Sequence, residues 1–296
     1  MRTLDRRDFI KRTAGAVAAS LSLPALGRAA EVATQPGVSA TMTRTLGDTG
    51  LTSTLLGIGT GMHGWNGESD LTRKGRAACL DMLSYAYERG LRYFDLADMY
   101  GSHDYMRELM TGPINRDEIL ILTKTATREG DLIRADLERF RKELDTDYLD
   151  VVLLHCLTDN DGPDWPEKHK SATDALAEAK ARGVIRAHGC SCHSLSALKT
   201  AAETEWVDVV LARINPFGVR MDGPPEEVAP ILETAHAAGK GVLGMKIVGE
   251  GALTDKIDES LRFVLGLGSV DALAIGFLEP SELDQVVGML DNLKLA

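Results

Sequence analysis

Four side chains able to move or steer a proton stand at related places in this chain. Asp95 ends one apolar run and opens Asp95-Leu96-Ala97-Asp98-Met99-Tyr100-Gly101, Lys124 closes Leu122-Thr123-Lys124, and His155 closes Val151-Val152-Leu153-Leu154-His155. An apolar run needs no polar end for its own sake, so these residues point to chemistry. Adding a hydride to a carbonyl builds an alkoxide, which needs a proton donor. Tyrosine, with a reference pKa of about 10, becomes a better donor where a cation stabilises its phenolate. Lys124 is read as that cation, Asp95 as the carboxylate that orients it, His155 as the hydrogen-bond partner of the substrate oxygen, and Tyr100 as the general acid/base.

Such residues meet only if the elements that carry them are parallel and adjacent. Eight short runs read as strands: 55–59, 92–96, 118–124, 149–155, 185–191, 207–214, 241–246 and 272–276. Several are almost continuously apolar, as strands covered on both faces are. Helical patterns fall between them, among them 75–89, 131–144, 172–182, 226–238 and 281–290. Several stop at a glycine such as Gly90, Gly183 or Gly239, which accepts the left-handed conformation of a helix C-terminus. The alternation predicts an α/β fold, one (β/α)8 TIM barrel, whose strand C-terminal ends converge on the face where active sites lie. An open doubly wound sheet is the alternative. Arg44-Thr45-Leu46-Gly47-Asp48-Thr49-Gly50-Leu51 reads as an N-terminal β-hairpin that closes the end opposite the site.

Two motifs compete. Gly59, Gly61 and Gly64 satisfy GxGxxG after a strand, the fingerprint of a Rossmann-type dehydrogenase. Yet Gly64 leads into Trp65-Asn66-Gly67-Glu68-Ser69 rather than a helix, and Asp95 lies 31 positions on, where a ribose partner is expected after about 20. These glycines are read as a strand-end loop. The segment His188-Gly189-Cys190-Ser191-Cys192-His193 offers soft-metal ligands, but extended geometry puts His188, Cys190 and Cys192 on one face and His193 on the other, so no metal is expected. Cys79 and Cys156 read as small apolar fillers.

Beyond the tetrad, the chain resembles the aldo-keto reductases. The resemblance runs through Leu46 to Leu51, Asp95 to Gly101, Lys124, Asp150 to His155, Ile185-Arg186, Gly189 to Ser191, Asn215-Pro216 and Ala274 to Gly276, spanning about residues 43 to 290. It implies a barrel that uses NADP or NAD without a metal, with the tetrad roles given above, and that reduces a small aldehyde or ketone or runs the reverse alcohol oxidation. Cofactor contacts implied by the resemblance are Thr60, Asp95, Ser191, Cys192, Lys246 and Gly276. Cys192 stands where the family has asparagine, Leu211 where it has glutamine, and Met245 where an aromatic stacks on the nicotinamide. The loop Gly276 to Glu282 lacks basic residues, and Glu279 and Glu282 would repel the 2′-phosphate of NADP. Trp65, His63, Trp165 and Phe217 are candidate pocket residues.

Composition bounds the rest. The 296 residues are 44% apolar and 26% charged, with a mean hydropathy of -0.09, which excludes a disordered or collagen-like chain. Four irregularly spaced cysteines make no disulfide framework. A net charge of -11 without a basic stripe argues against nucleic-acid partners. Residues 1–30 differ from the remainder: Arg2, Arg6, Arg7, Lys11 and Arg12 precede the apolar run Ala14 to Leu26, too short for a stable membrane span. Arg6-Arg7-Asp8-Phe9-Ile10-Lys11 resembles a twin-arginine export signal. The expected division is a signal at 1–30, a flexible segment at 31–42 and the barrel at 43–296. Removing the signal would leave 27 basic and 42 acidic residues, a net charge of -15. Export of an already folded protein to the periplasm is the expected localisation, with the export machinery as a partner. Outside the cytoplasm an active barrel needs a trapped cofactor or a redox partner. A second expectation follows, an exported cofactor- or ligand-binding barrel with little turnover.

Overall fold

The computed structural model describes residues 37–294; the signal at 1–30 and residues 31–36 of the expected flexible segment lie outside them. The chain opens with β1 (Thr43–Thr45) and β2 (Thr52–Thr54), an antiparallel hairpin. Then β3 (Leu56–Gly59), β4 (Tyr93–Asp95), β5 (Leu120–Thr125), β6 (Leu149–Leu157), β7 (Ile185–Cys192), β8 (Val209–Arg213), β9 (Gly241–Met245) and β10 (Ala272–Ile275) close into a parallel barrel in chain order, with β10 pairing back onto β3. A closed barrel removes both the open-sheet and the Rossmann alternatives. The helices that connect and cover the strands include α1 (Asp70–Arg73), α2 (Arg76–Glu88), α3 (His103–Met110) and α4 (Gly130–Leu144) in the first half. Those of the second half are α5 (Trp165–Lys168), α6 (Lys170–Ala181), α7 (Leu195–Glu203), α8 (Pro225–Ala237), α9 (Ile257–Gly266) and α10 (Pro280–Asp291).

Period-two alternation sorts the strands into two apolar layers. Tyr93, Leu120, Leu122, Val151, Leu153, Ala187, Val209, Leu211, Leu243, Ala272 and Ala274 fill the barrel interior. Leu56, Ile58, Phe94, Ile121, Val152, Leu154, Cys190, Cys192, Val210 and Val242 face the helices, which answer with stripes such as Ile133, Leu137, Phe140 and Leu144 of α4. The hairpin contributes Leu46 and Leu51 to the interior layer, and the Asp48 amide donates to the Gly239 carbonyl 2.7 Å away, just before β9. Both contacts seal the end where the strands begin. At Gly47 a side chain is excluded, because a Cβ would stand 2.3 Å from that same carbonyl and φ is +48°.

Chain docking begins before the expected boundary at residue 43. Ala40 is fully buried, its amide donates to Asp291 of α10 at 3.2 Å, and its carbonyl accepts from the Leu56 amide at 2.9 Å. β6 also runs two residues beyond the expected end at His155, across a bulge between Leu154 and Leu157 where Cys156 takes φ +56°. A strand bends readily at such an insertion, and here it re-aims the backbone beside His155.

Candidate active site

The interior rows of the strands end in polar groups. Tyr93 leads to Asp95, Leu120 and Leu122 lead to Lys124, and Val151 and Leu153 lead to His155, each one step of two further along its strand. The last inward position therefore falls at the C-terminal mouth, where apolar packing has ended.

Lys124 is buried and donates to Asp95 Oδ1 and, at 2.9 Å, to the Leu96 carbonyl. Its ammonium lies 4.9 Å from the centre of the Tyr100 ring. Burial pushes the Lys124 ammonium below and the Asp95 carboxyl above their ordinary pKa values, although each partner opposes the other's shift. The Tyr100 hydroxyl is 3.1 Å from His155 Nε2, with the rings edge to face. Burial raises the Tyr100 hydroxyl well above its ordinary value, reinforced by the Asp95 charge. In this pocket the expected easing of the phenolate by Lys124 is outweighed, and Tyr100 stays protonated. Burial, with Lys124 adding repulsion, drives His155 well below 6.5, so its imidazole is neutral.

Loops hold these groups in place. Tyr100 sits in a short turn, Asp98–Tyr100, whose Asp98 carboxylate is gripped by both terminal nitrogens of Arg139 from α4, at 2.7 and 2.9 Å. Its ring lies against Gly61 and Gly64, where added Cβ atoms would come within 2.2 and 2.4 Å of ring carbons. The GxGxxG glycines thus make room for a tyrosine. Arg128 donates to the His155 carbonyl at 2.7 Å, and the Ser191 hydroxyl accepts from the Cys156 amide at 2.9 Å. Cys156 is no apolar filler: its sulfur is 3.6 Å from His193 Nε2. Arg213 donates to His193 Nδ1, and because arginine only donates, the neutral His193 carries its proton on Nε2 and points it at that sulfur.

One cavity opens beside the tetrad, lined by Gly59, Gly61, Met62, Asp95, Tyr100, Met245, Lys246, Ile247, Val248, Glu250, Ala274, Ile275 and Gly276. A second, of about 260 Å³, adjoins it through Met62, Val248, Ile275 and Gly276 and continues to Thr254, Glu282, Gln285 and Val286. Together they make an elongated groove from the tetrad to the start of α10. Of the expected cofactor contacts, Asp95, Lys246 and Gly276 line it.

Three expected contacts, Thr60, Ser191 and Cys192, are not among the residues that line the groove. Thr60 is buried behind the site, its hydroxyl donating to the Asp95 carbonyl at 2.9 Å and standing 3.0 Å from the Ser102 hydroxyl. The Ser191 hydroxyl accepts from the Cys156 amide at 2.9 Å, which leaves its own proton free to donate. Cys192 faces outward, 3.8 Å from the Cys190 sulfur, in the layer between β7 and the helices, because the same alternation that turns Ser191 inward turns its neighbour out. Leu211 is interior packing, whereas Met245 does reach the groove.

The proposed pocket aromatics divide. Trp165 is fully buried against Trp206 and donates to the Ala197 carbonyl, so it packs a loop. Trp65 and Phe217 are exposed, 71% and 41%, and His63 pairs with Asp70. Sequence reasoning missed Met62, Val248 and Glu250 as groove residues and the Asp98–Arg139 clamp. Only the short glycine spacing at Gly61 and Gly64 carried a signal, and its meaning is steric.

Comparison with known proteins agrees with the architecture. Residues 55–290 match the Aldo/keto reductase family. The chain is 29% identical over 82 residues to aldo-keto reductase family 1 member C21 of Mus musculus, covering 25% of each chain. It is 25% identical over 138 residues to methylglyoxal reductase DkgA of Escherichia coli O157:H7, covering 45% of this chain and 47% of that one. The matched stretches therefore span less than half of these curated relatives. A crystal structure of a Pseudomonas aeruginosa protein assigned to the aldo-keto reductases superposes with a TM-score of 0.70 at 25% identity, covering 86% of this chain and 97% of the other. With a closed eightfold barrel, a tetrad gathered at its mouth and a family match over most of its length, this chain belongs to the aldo/keto reductase family.

Proposed function

We propose that this protein reduces small aldehydes or ketones with a nicotinamide dinucleotide, NAD in preference to NADP, and that Tyr100 supplies the proton. The observation that carries the reading is the Tyr100 hydroxyl 3.1 Å from His155 Nε2, beside the buried Asp95–Lys124 pair and at the wall of the groove.

The lining of the groove supports a dinucleotide as the cofactor. Met245, Ile247, Val248 and Ile275 give a flat ring an apolar bed next to Tyr100. Glycines at 59 and 276 keep that bed shallow, since a Cβ on Gly276 would stand 3.2 Å from the Gly59 carbonyl oxygen. Among the described residues lining the tetrad cavity, Lys246 is the one cation. When bound, the dinucleotide supplies the hydride. The chain's own groups do the remainder. His155, whose Nδ1 has no hydrogen-bond partner, keeps its proton on Nε2 and donates it to the substrate oxygen. The Tyr100 hydroxyl donates from a second direction and transfers its proton as negative charge develops there. Lys124, held by Asp95, lies under the ring and steadies the tyrosinate left behind. A hydroxyl held protonated favours reduction over alcohol oxidation.

The NAD preference rests on the far end of the groove, where Glu282 and Gln285 stand and no Lys or Arg is found among the described residues that line it. Nearby Lys74 is occupied by Glu279 and the Leu278 carbonyl. A 2′-phosphate would meet Glu282 without a compensating cation. Fluorescence titration should show NADH binding at least about tenfold tighter than NADPH; the reverse order contradicts this assignment. Because one relative is a methylglyoxal reductase, small α-oxoaldehydes head the substrate panel.

Residues 1–30 are proposed as a twin-arginine export signal on the strength of Arg6-Arg7, the following Phe9 and the apolar run. Changing Arg6 and Arg7 to Lys should trap the protein in the cytoplasmic fraction, and unchanged export would refute the signal.

A further inference from the structure

Lys246, the one Lys or Arg among the described residues that line the tetrad cavity, is not free. Lys246 Nζ is paired with Glu250 Oε1, and both residues line that cavity. The pair is mostly sheltered, with side chains 19% and 17% exposed. Both residues hold left-handed backbones, φ +59° at Lys246 and +58° at Glu250, around a turn that includes Gly249. For non-glycine residues that conformation is costly and persists only where surrounding contacts enforce it. Asn215 supplies one such contact, donating its Nδ2 to the Lys246 carbonyl at 3.1 Å. The backbone is thereby pinned, and the freedom that remains is in the two side chains.

Glu250 also has a second partner. Its Oε2 lies 3.3 Å from Nε of Arg220, which is 62% exposed. Glu250 can therefore surrender Lys246 without becoming an unpaired charge. Burial disfavours its ionised form, but the Lys246 hydrogen bond prevails and holds the Glu250 carboxyl below its ordinary pKa, so the carboxylate is charged at neutral pH.

The proposed cofactor makes this arrangement consequential. Tyr100, Lys246 and Glu250 line the same cavity, so a dinucleotide with its nicotinamide near Tyr100 would bring its doubly charged pyrophosphate within reach of Lys246 and Glu250. A fixed carboxylate there would oppose it, and a freed ammonium would attract it. We infer that Glu250 is an internal stand-in for the cofactor's pyrophosphate: it neutralises Lys246 in the empty groove and gives it up to the phosphates on binding, retreating to Arg220. This inference rests on the dinucleotide reading of the groove and names the two residues that set its affinity.

A double-mutant cycle read by NADH binding tests it, using fluorescence or calorimetric titration of the full-length protein. Glu250→Gln removes the competitor with little change of shape and should bind NADH about tenfold tighter than wild type. Lys246→Met should bind about tenfold weaker, and in the double variant the gain from Glu250→Gln should vanish, because there is no ammonium left to release. Inorganic pyrophosphate should compete with NADH more strongly in Glu250→Gln than in wild type. Circular dichroism and melting curves establish that each variant is folded. An unfolded Lys246→Met is replaced by Lys246→Gln, and Arg220→Gln, which removes the retreat position, should weaken NADH binding. If wild type binds NADH but Glu250→Gln binds it no better, or its gain survives loss of Lys246, the stand-in role is wrong while the cofactor reading stands. If no variant, wild type included, binds a nicotinamide dinucleotide, the cofactor reading falls and takes this inference with it.

Discussion

The proton donor in this barrel is set by sterics as much as by electrostatics. Tyr100 has its ring against two glycines, near the Lys124 ammonium and with its hydroxyl at His155. Neither Gly61 nor Gly64 has a left-handed backbone, so alanine at either position brings only the collision between its methyl group and the ring. Gly61→Ala should therefore lower kcat by about a hundredfold, the scale of a 1 Å misplacement, while leaving the NADH dissociation constant within about twofold. Steady-state kinetics beside a binding titration measures both, and an unchanged kcat would show that the ring position is not controlled there. At this scale the sequence was legible where a polar residue ended an apolar strand, as at Asp95, Lys124 and His155. It was misleading at Cys192: β7 is covered on both faces, so composition gives no hint of which neighbour turns inward, and the outward face holds Cys192 against Cys190. Glu250 left no sequence signal, since its place at the groove depends on how an irregular turn packs against other strands.

At the level of elements, the strands present the chemistry and the helices brace the loops that finish it. α4 buries Ile133, Leu137, Phe140 and Leu144 against the barrel, and its outer side reaches over with Arg139 to hold the turn that carries Tyr100. Arg139 also pairs with Asp136 and Glu143, so it enters the clamp already oriented. It is 41% exposed, and exposed pairs contribute little to stability. Arg139→Gln should thus reduce kcat by about tenfold with a small change in melting temperature and no change in NADH binding; a stability loss without a kinetic effect would make the clamp merely structural. Strand periodicity made these elements readable in outline, and the observed strands begin and end within a few residues of the apolar runs. The α4 clamp was unreadable, because Asp98 and Arg139 are 41 residues apart and nothing in their local patterns joins them.

The molecule as a whole keeps three histidines neutral in its interior or at its mouth. Burial lowers His188 to about 4 and His193 to about 3, with Arg213 repelling the charge on the latter, and lowers His155 well below its ordinary value. An unfolded chain protonates histidine near pH 6.5, so below that pH it binds protons that the fold rejects. Stability from these groups is complete above about pH 6.5 and is lost as pH falls, by up to about 1.4 kcal/mol per histidine per pH unit. Asp222 acts oppositely: burial raises it to about 6, so the fold gains a proton, and stability, as pH falls from 6 towards 4. Burial raises Asp95 and Asp271 as well, but three imidazoles that an unfolded chain protonates below about pH 6.5 should still give a clearly lower melting temperature at pH 5 than at pH 7. An unchanged or higher value at pH 5 would contradict the burial of neutral imidazoles. The central claim also belongs to the whole protein, that this barrel turns over carbonyl compounds instead of only holding a nucleotide. The most direct measurement follows loss of reduced-nicotinamide absorbance with a panel of small aldehydes and ketones, for wild type and Tyr100→Phe, alongside NADH titration of both. The account predicts turnover by wild type and its near-complete loss in Tyr100→Phe with NADH affinity retained; full turnover in Tyr100→Phe, or a wild type that binds NADH and reduces nothing, would contradict it.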